Sequence, residues 1–138
     1  MLKLESLRNE KLTDPEGEWI ESRVYPGVSY LVRSNRYPEF ETARDTAAKK
    51  LAQAYPQGNA PSAVSMKAIG LAMAEHLLLG WKGLDVPYSR DTALAVLSDF
   101  SYRKVVNDVE DCASRVGDRN LEFIETTAKN SELPSAIS

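Results

Sequence analysis

The chain contains few of the residues on which catalytic and metal sites depend. It has one cysteine and one histidine in 138 residues. The single cysteine, Cys112, cannot form an internal disulfide, so the chain needs no oxidising compartment. The lone histidine, His76, is far from it in the sequence, whereas a zinc site needs several such ligands together. A phosphate-binding glycine loop, a Gly-x-Ser-x-Gly elbow and a His-Glu-x-x-His pair are also missing. We therefore expect no enzyme activity, no metal and no cofactor.

Long hydrophobic runs are missing as well. The most apolar stretch, residues 63–81, is interrupted by Lys67, Glu75 and His76, whereas a membrane-spanning helix needs about 20 largely apolar residues. Residues 1–11 alternate charged and apolar side chains and lack the apolar segment of a signal peptide. These patterns predict a cytosolic protein with no membrane partner.

The chain also lacks an excess of positive charge. It has 17 Lys and Arg against 20 Asp and Glu, and residues 70–138 carry a net charge of −4. A duplex-DNA binder needs a basic face. Five residues could imitate a basic and aromatic nucleic-acid platform: Arg33, Arg36, Arg44, Tyr30 and Tyr37. Three carboxylates interleave with them: Glu39, Glu41 and Asp45. We therefore expect no nucleic-acid partner.

Three other groups resemble sites and have simpler interpretations. Four carboxylates near the start lack the spacing of a calcium loop and are typical of a solvated edge: Asp14, Glu16, Glu18 and Glu21. Cys112 follows Asp111, an acidic setting that raises a thiol pKa, so it is expected to be a small packed group. His76, beside Glu75, is expected to be a surface or helix-end side chain.

The hydrophobic pattern predicts a β-hairpin followed by helices. Two apolar and aromatic segments within residues 18–34 flank Pro26-Gly27, a pair that suits a tight turn. Apolar residues at helical spacing predict a helix over 39–55, and a second helix capped by Ser62 and running to about Gly80. After a turn-rich connector, Ser89 and Asp99 are expected to cap two more helical segments, the last reaching about Lys129.

These elements predict a single α+β domain, mainly α, over residues 1–138. The hairpin, 18–34, packs on a bundle of about four to five helices within 39–130, and residues 131–138 form a frayed tail. The second helix is apolar on nearly every side, which is typical of a helix that is fully buried or shared with another chain. Seven residues of this stretch are candidates for partner binding: Met66, Ile69, Met73, Leu77, Leu78, Leu79 and Trp81. The alternative, that this helix is simply the core of the fold, stays open.

The order of these features resembles that of the tail assembly chaperones of long-tailed phages and prophages. The resemblance spans residues 18–132. It rests on the Trp19-bearing hairpin, on the stretch from Leu78 to Ser89 with its Trp-Lys-Gly and Val-Pro-Tyr-Ser strings, and on the Ala-Lys-Asn-Ser ending at 128–131. One departure is that a single residue, Asp85, separates Leu84 from Val86, where similar proteins often have a longer turn.

The resemblance implies a non-catalytic factor of the host cytoplasm that binds the tape measure protein and is absent from the mature virion. It also implies contact with the tail tube protein, and the second helix, apolar on nearly every side in so small a domain, predicts self-association. Such chaperones are often made in two lengths by a −1 frameshift, and Ala128-Lys129-Asn130 is compatible with slippery codons, as is Ala48-Lys49-Lys50. The alternative is a small connector or completion protein of the phage head–tail junction or tail, which would stay in the particle.

Overall fold

The structure, a computed structural model, describes residues 1–118 of the chain. These residues form four α-helices and a three-stranded sheet, which confirms the mainly α, α+β class. The helices are α1 Pro38–Ala54, α2 Ser62–His76, α3 Arg90–Leu97 and α4 Arg103–Ser114, and the strands are β1 Glu18–Glu21, β2 Ser29–Val32 and β3 Leu78–Lys82. Short 3₁₀ turns cover Leu4–Leu7, Glu10–Thr13 and Phe100–Tyr102. None of the helices within residues 1–118 combines the length and apolar character that crossing a membrane requires.

The predicted hairpin is confirmed. Strands β1 and β2 pair antiparallel, with Trp19 opposite Leu31 and Ile20 opposite Tyr30. Ile20 and Tyr30 are buried, whereas Trp19 stays 42% exposed on the other face. Alternate residues of a strand point to opposite faces, so this hairpin buries one face against the helices. The turn at Pro26-Gly27 is closed by the backbone N–H of Val28, which donates to the carbonyl of Tyr25 over 3.2 Å.

The prediction that the second helix runs to Gly80 is wrong. Helix α2 ends at His76, and Leu78–Lys82 becomes a third strand paired antiparallel with β2. Without β3, the second edge of β2 would carry unpaired backbone groups. Leu78 and Gly80 are buried while Leu79 is half-buried, which is the alternation of a strand and not of a helix. The cap at Ser62 is also wrong, because Pro61 occupies the N-cap of α2 without a side-chain hydrogen bond.

The remaining helix boundaries follow the local signals closely. Helix α1 begins one residue before the prediction, with Pro38 in its first turn. Ser89 and Asp99 cap as expected, accepting the backbone N–H of Thr92 and Ser101 respectively. Helix α4 ends at Ser114, and the predicted continuation over 121–129 and the tail lie outside the described residues.

Helix α2 lies at the centre of the fold and packs against α1, α3 and β3. Most of its apolar surface is therefore used within the domain, as expected for a helix with neighbours on several sides, while Val64 and Leu71 stay exposed. Gly70 is the point of closest approach to α3, because a Cβ atom there would clash with the backbone carbonyl of Leu97. The core joins this helix to the sheet and to α4 through Met73, Val32 and Val109, all fully buried.

A candidate partner-binding groove

The seven candidate residues for partner binding do not form one surface. Three of them lie in the core: Met73 and Leu77 are 0% exposed and Leu78 is 2% exposed. The other four are half-buried: Met66, Ile69, Leu79 and Trp81. Leu77 and Leu78 fall outside the helix to which they were assigned, at its C-cap and in β3. A partner can reach the three core residues only if the domain opens, so the core alternative describes them better.

Trp81 positions the connector that follows β3. Its indole Nε1–H donates to the carbonyl of Val86 over 2.7 Å. Its ring meets that of Tyr88 edge-on at 5.2 Å, and the Tyr88 hydroxyl donates to the carbonyl of Leu78 over 3.1 Å. The connector after β3 is therefore held against the sheet edge. Burial raises the pKa of Tyr88.

An open groove of about 710 Å³ lies between the hairpin turn and the start of α4. Val28 and Tyr30, which are buried, form its floor. The connector adds Leu84, because Gly83 runs so close to the turn that a Cβ there would clash with the carbonyl of Gly27. Its remaining lining comes from the turn, the 3₁₀ turn and the start of α4: Tyr25, Phe100, Ser101, Tyr102, Arg103, Lys104 and Val105. The groove thus combines aromatic and aliphatic surface with two cations.

A buried carboxylate holds the hairpin side of this groove to α4. Asp108 is 2% exposed, and its Oδ2 accepts hydrogen bonds from the hydroxyls of Ser22, at 2.6 Å, and Tyr30, at 2.8 Å. The Ser22 hydroxyl oxygen in turn accepts the backbone N–H of Val24 and Tyr25. Burial, then the hydrogen bond to Asp108, raise the pKa of Tyr30 well above its ordinary value. Asp108 therefore fixes both the floor and the turn that carries Tyr25.

The exposed charge of the groove lining is positive. Among residues 1–118 the lining includes Arg103 and Lys104 and no carboxylate, while the buried Asp108 carboxylate accepts the hydroxyl of the floor residue Tyr30. Arg103 lies over the ring of Phe100, with its guanidinium carbon 5.0 Å from the ring centroid. Leu84 and Tyr102 are 44% and 46% exposed. The lining therefore joins exposed apolar side chains to two cations.

Beside this network lies a small cluster of possible metal ligands. Within residues 1–118, Asp108, Asp111 and Cys112 offer ligand atoms within 4.8 Å of one another. Arg115 already occupies the site, with Nη2 at 3.2 Å from Asp111 Oδ2 and 3.3 Å from Cys112 Sγ. Burial raises the pKa of Cys112 to about 11, and the nearby carboxylates act in the same direction, as predicted. A protonated, fully buried thiol is a poor nucleophile.

Two of the four early acidic residues, Asp14 and Glu18, accept backbone hydrogen bonds with their carboxylates, whereas the contacts of Glu16 and Glu21 are made by their backbones. Asp14 accepts the backbone N–H of Glu16, and Glu18 accepts that of Gly117 at 3.0 Å. The backbone carbonyl of Glu21 accepts from Arg115 at 2.8 Å. These contacts stabilise turns and attach α4 to β1, which suits their interpretation as structural and solvated groups.

The basic and aromatic residues that could imitate a nucleic-acid platform make contacts in different parts of the fold. Tyr30 is buried, and Arg33 lies over the ring of Tyr37 at 4.6 Å while donating to the carbonyls of Pro15 and His76. Arg44 pairs with Glu41 and Asp45 on α1. His76 lies at the end of α2 with Nε2 at 3.6 Å from Glu75. These residues therefore do not share one platform.

Sequence reasoning missed the groove and its carboxylate. The groove is assembled from three separate segments, and Asp108 is 78 residues from Tyr30 in the chain. One signal was available: Phe100 and Tyr102 stand beside Arg103 and Lys104, aromatic and basic side chains together at the start of a helix.

Comparison with known proteins gives one informative result. Neither the curated proteins nor the solved structures contain a match to this chain. The family model of the YdaY prophage protein matches residues 35–130, about two-thirds of the chain, and this range includes the four α-helices of the described residues. This chain belongs to the YdaY prophage protein family.

Proposed function

We propose that this prophage protein is a non-catalytic tail assembly chaperone that binds and solubilises the tape measure protein while the tail tube assembles. It acts in the host cytoplasm and leaves before the virion matures. Membership of a prophage protein family supports a phage role, and the resemblance of residues 18–132 supports this particular one. The observation that carries the proposal is the open aromatic groove beside α4.

The groove suits a segment of a helical partner. An α-helix is about 10–12 Å wide and presents apolar residues every three or four positions along one face. Tyr25, Phe100 and Val105, which are half-buried, can receive such residues, while Tyr102 and Leu84 cover their sides. Each buried apolar side chain contributes roughly 1.5–3 kcal/mol before the ordering costs of binding are subtracted. Two or three of them give weak, reversible binding.

Reversible binding is what a chaperone of this kind requires. The tube subunits must displace it as they polymerise around the tape measure protein. A micromolar complex corresponds to about −8 kcal/mol and releases its partner readily. An open groove, in contrast to an enclosed cavity, accepts different apolar residues along a long helix without demanding one sequence.

The test is capture of partners by the tagged full-length protein in cells that express its own gene neighbourhood, followed by mass spectrometry. Two matched variants locate the surface. Leu84→Ser removes apolar surface from the groove, and Leu71→Ser removes it from the exposed side of α2. We expect the wild type and the Leu71 variant to recover a very long helical protein, and the Leu84 variant to lose most of it.

Three results would contradict the proposal. The wild type could recover head or tube subunits and no long helical protein, and it could be found in finished particles, as expected for a connector. The third is equal recovery by the two variants, which would remove the groove from the mechanism. The same samples report self-association and contact with the tail tube protein, by recovery of untagged chain and of tube subunits.

A further inference from the structure

We propose that the groove selects acidic amphipathic helices, in which apolar residues enter the groove and carboxylates meet Arg103 and Lys104. This inference rests on the proposed function, because it names the chemistry of the tape measure segment that the same groove binds. The partner segment would carry Asp or Glu three or four positions from its apolar residues, so that both lie on adjoining strips of one helix.

The first support is that the two cations have no ion-pair partner among residues 1–118. In the part of the chain that the structure describes, neither Arg103 nor Lys104 has a carboxylate within ion-pair distance, although other arginines do. Both side chains are exposed. Their position is unusual in residues 70–138, which carry a net charge of −4. Two unpaired positive charges beside apolar surface complement a partner with negative charge.

The second support is their place in the helix. Arg103 and Lys104 are the first two residues of α4, a first turn that contains no acidic residue. The N-terminal end of a helix carries partial positive charge, so cations there are unfavourable and anions are favourable. A carboxylate of the partner near this turn would be attracted by the two side chains and by the helix end together.

The third support is that the cations adjoin the apolar surface and do not replace it. Arg103 lies over Phe100, one of the aromatic residues that line the groove, so its charge is held at the wall. Tyr25 and Leu84 continue the apolar lining. Single-stranded nucleic acid also uses aromatic and basic residues, but an acidic chain with two cations at the site favours a peptide partner.

The experiment uses the full-length protein and two labelled amphipathic peptides of equal length with identical apolar residues. One peptide has Glu at the flanking positions and the other has Lys, and binding is followed by fluorescence anisotropy at low and at physiological salt. We expect the Glu peptide to bind about tenfold more tightly than the Lys peptide, with a difference that shrinks as salt increases.

The charge variant is R103Q with K104Q, and its matched control is K49Q with K50Q, two adjacent exposed lysines of α1. We expect the groove variant to weaken binding of the Glu peptide about fivefold and the control to leave it unchanged. Equal binding of the two peptides, or equal behaviour of the two variants, would overturn the inference. So would tighter binding of a labelled oligothymidylate, or a change of oligomeric state in the groove variant, which would make a second copy the occupant.

Partner capture separates this inference from the proposed function. If the R103Q and K104Q variant recovers the long helical protein at the wild-type level, the charge preference is wrong and the chaperone function stands. A second outcome is that the wild type itself recovers no such protein, while binding of the Glu peptide still depends on Arg103 and Lys104. In that case the charge preference of the groove stands and the chaperone function is wrong.

Discussion

Replacement of Asp108 by alanine removes the acceptor that connects α4 to the hairpin. The carboxylate receives the Tyr30 hydroxyl at 2.8 Å and the Ser22 hydroxyl at 2.6 Å. In the variant, Tyr30, which is 1% exposed, keeps a buried hydroxyl without its acceptor, whereas Ser22 is half-buried and can turn to water. We therefore expect the loss of stability to come mainly from the unpaired Tyr30 hydroxyl and from the turn that carries Tyr25.

The magnitude follows from these contacts. A hydrogen bond to a carboxylate contributes about 1.5–3 kcal/mol, and two of them set an upper limit of about 6 kcal/mol. The desolvation of the carboxylate, whose Oδ1 has no partner in the described part of the chain, offsets some of this gain. We expect Asp108→Ala to lower the free energy of unfolding by about 2–4 kcal/mol. Asp108→Asn keeps an acceptor oxygen for both hydroxyls and should lose only about 1 kcal/mol.

Urea unfolding followed by tryptophan fluorescence measures this difference. With a slope of about 2 kcal/mol per molar urea, the middle of the range for small proteins, the alanine variant should unfold at a midpoint roughly 1–2 M lower than the wild type. The asparagine variant is the control for shape. A loss below about 1 kcal/mol in the alanine variant, or equal losses in the two variants, would refute the argument that these hydrogen bonds hold the hairpin to α4.

Three further substitutions or modifications test the packing. Gly70→Ala places a methyl group against the last carbonyl of α3, and we expect a loss of about 3 kcal/mol in urea unfolding. Leu77→Glu buries a charge at a fully buried position and should abolish the folded circular dichroism spectrum, whereas Leu71→Glu, at a position 37% exposed, should leave it unchanged. Cys112 should react with iodoacetamide at pH 8 roughly a hundredfold more slowly in the folded than in the urea-unfolded chain, because burial raises its pKa to about 11 and lowers the thiolate fraction.

Local patterns were sufficient for the hairpin and for most helix boundaries. The Pro26-Gly27 pair and the flanking β-branched and aromatic residues specify the hairpin, because turn chemistry and strand alternation act over a few residues. Ser89 and Asp99 marked helical starts because a cap is itself a local hydrogen bond. These features need no information about distant parts of the chain.

The third strand and the groove could not be derived in this way. Three consecutive leucines, 77 to 79, are compatible with a buried helix and with a strand, and the pairing of Leu78 with Val32 decides between them. Asp108 lies within a predicted helix, and only the tertiary fold brings it to Ser22, 86 residues away. The apolar pattern of Leu77 and Leu78 fits a partner-binding surface as well as a core, because apolar character alone does not distinguish a core from an interface.

The position of β3 in the chain has a consequence for how the protein is made. Two whole helices, α1 and α2, lie between β2 and the strand that completes its sheet. During synthesis, one edge of strand Ser29–Val32 therefore has unpaired backbone groups until Lys82, the last residue of β3, has left the ribosome. A two-stranded hairpin is marginal in water, so a nascent chain that stops before β3 has little stable structure to retain. We expect the domain to fold late and in one step, and shorter nascent fragments to be the most prone to aggregate.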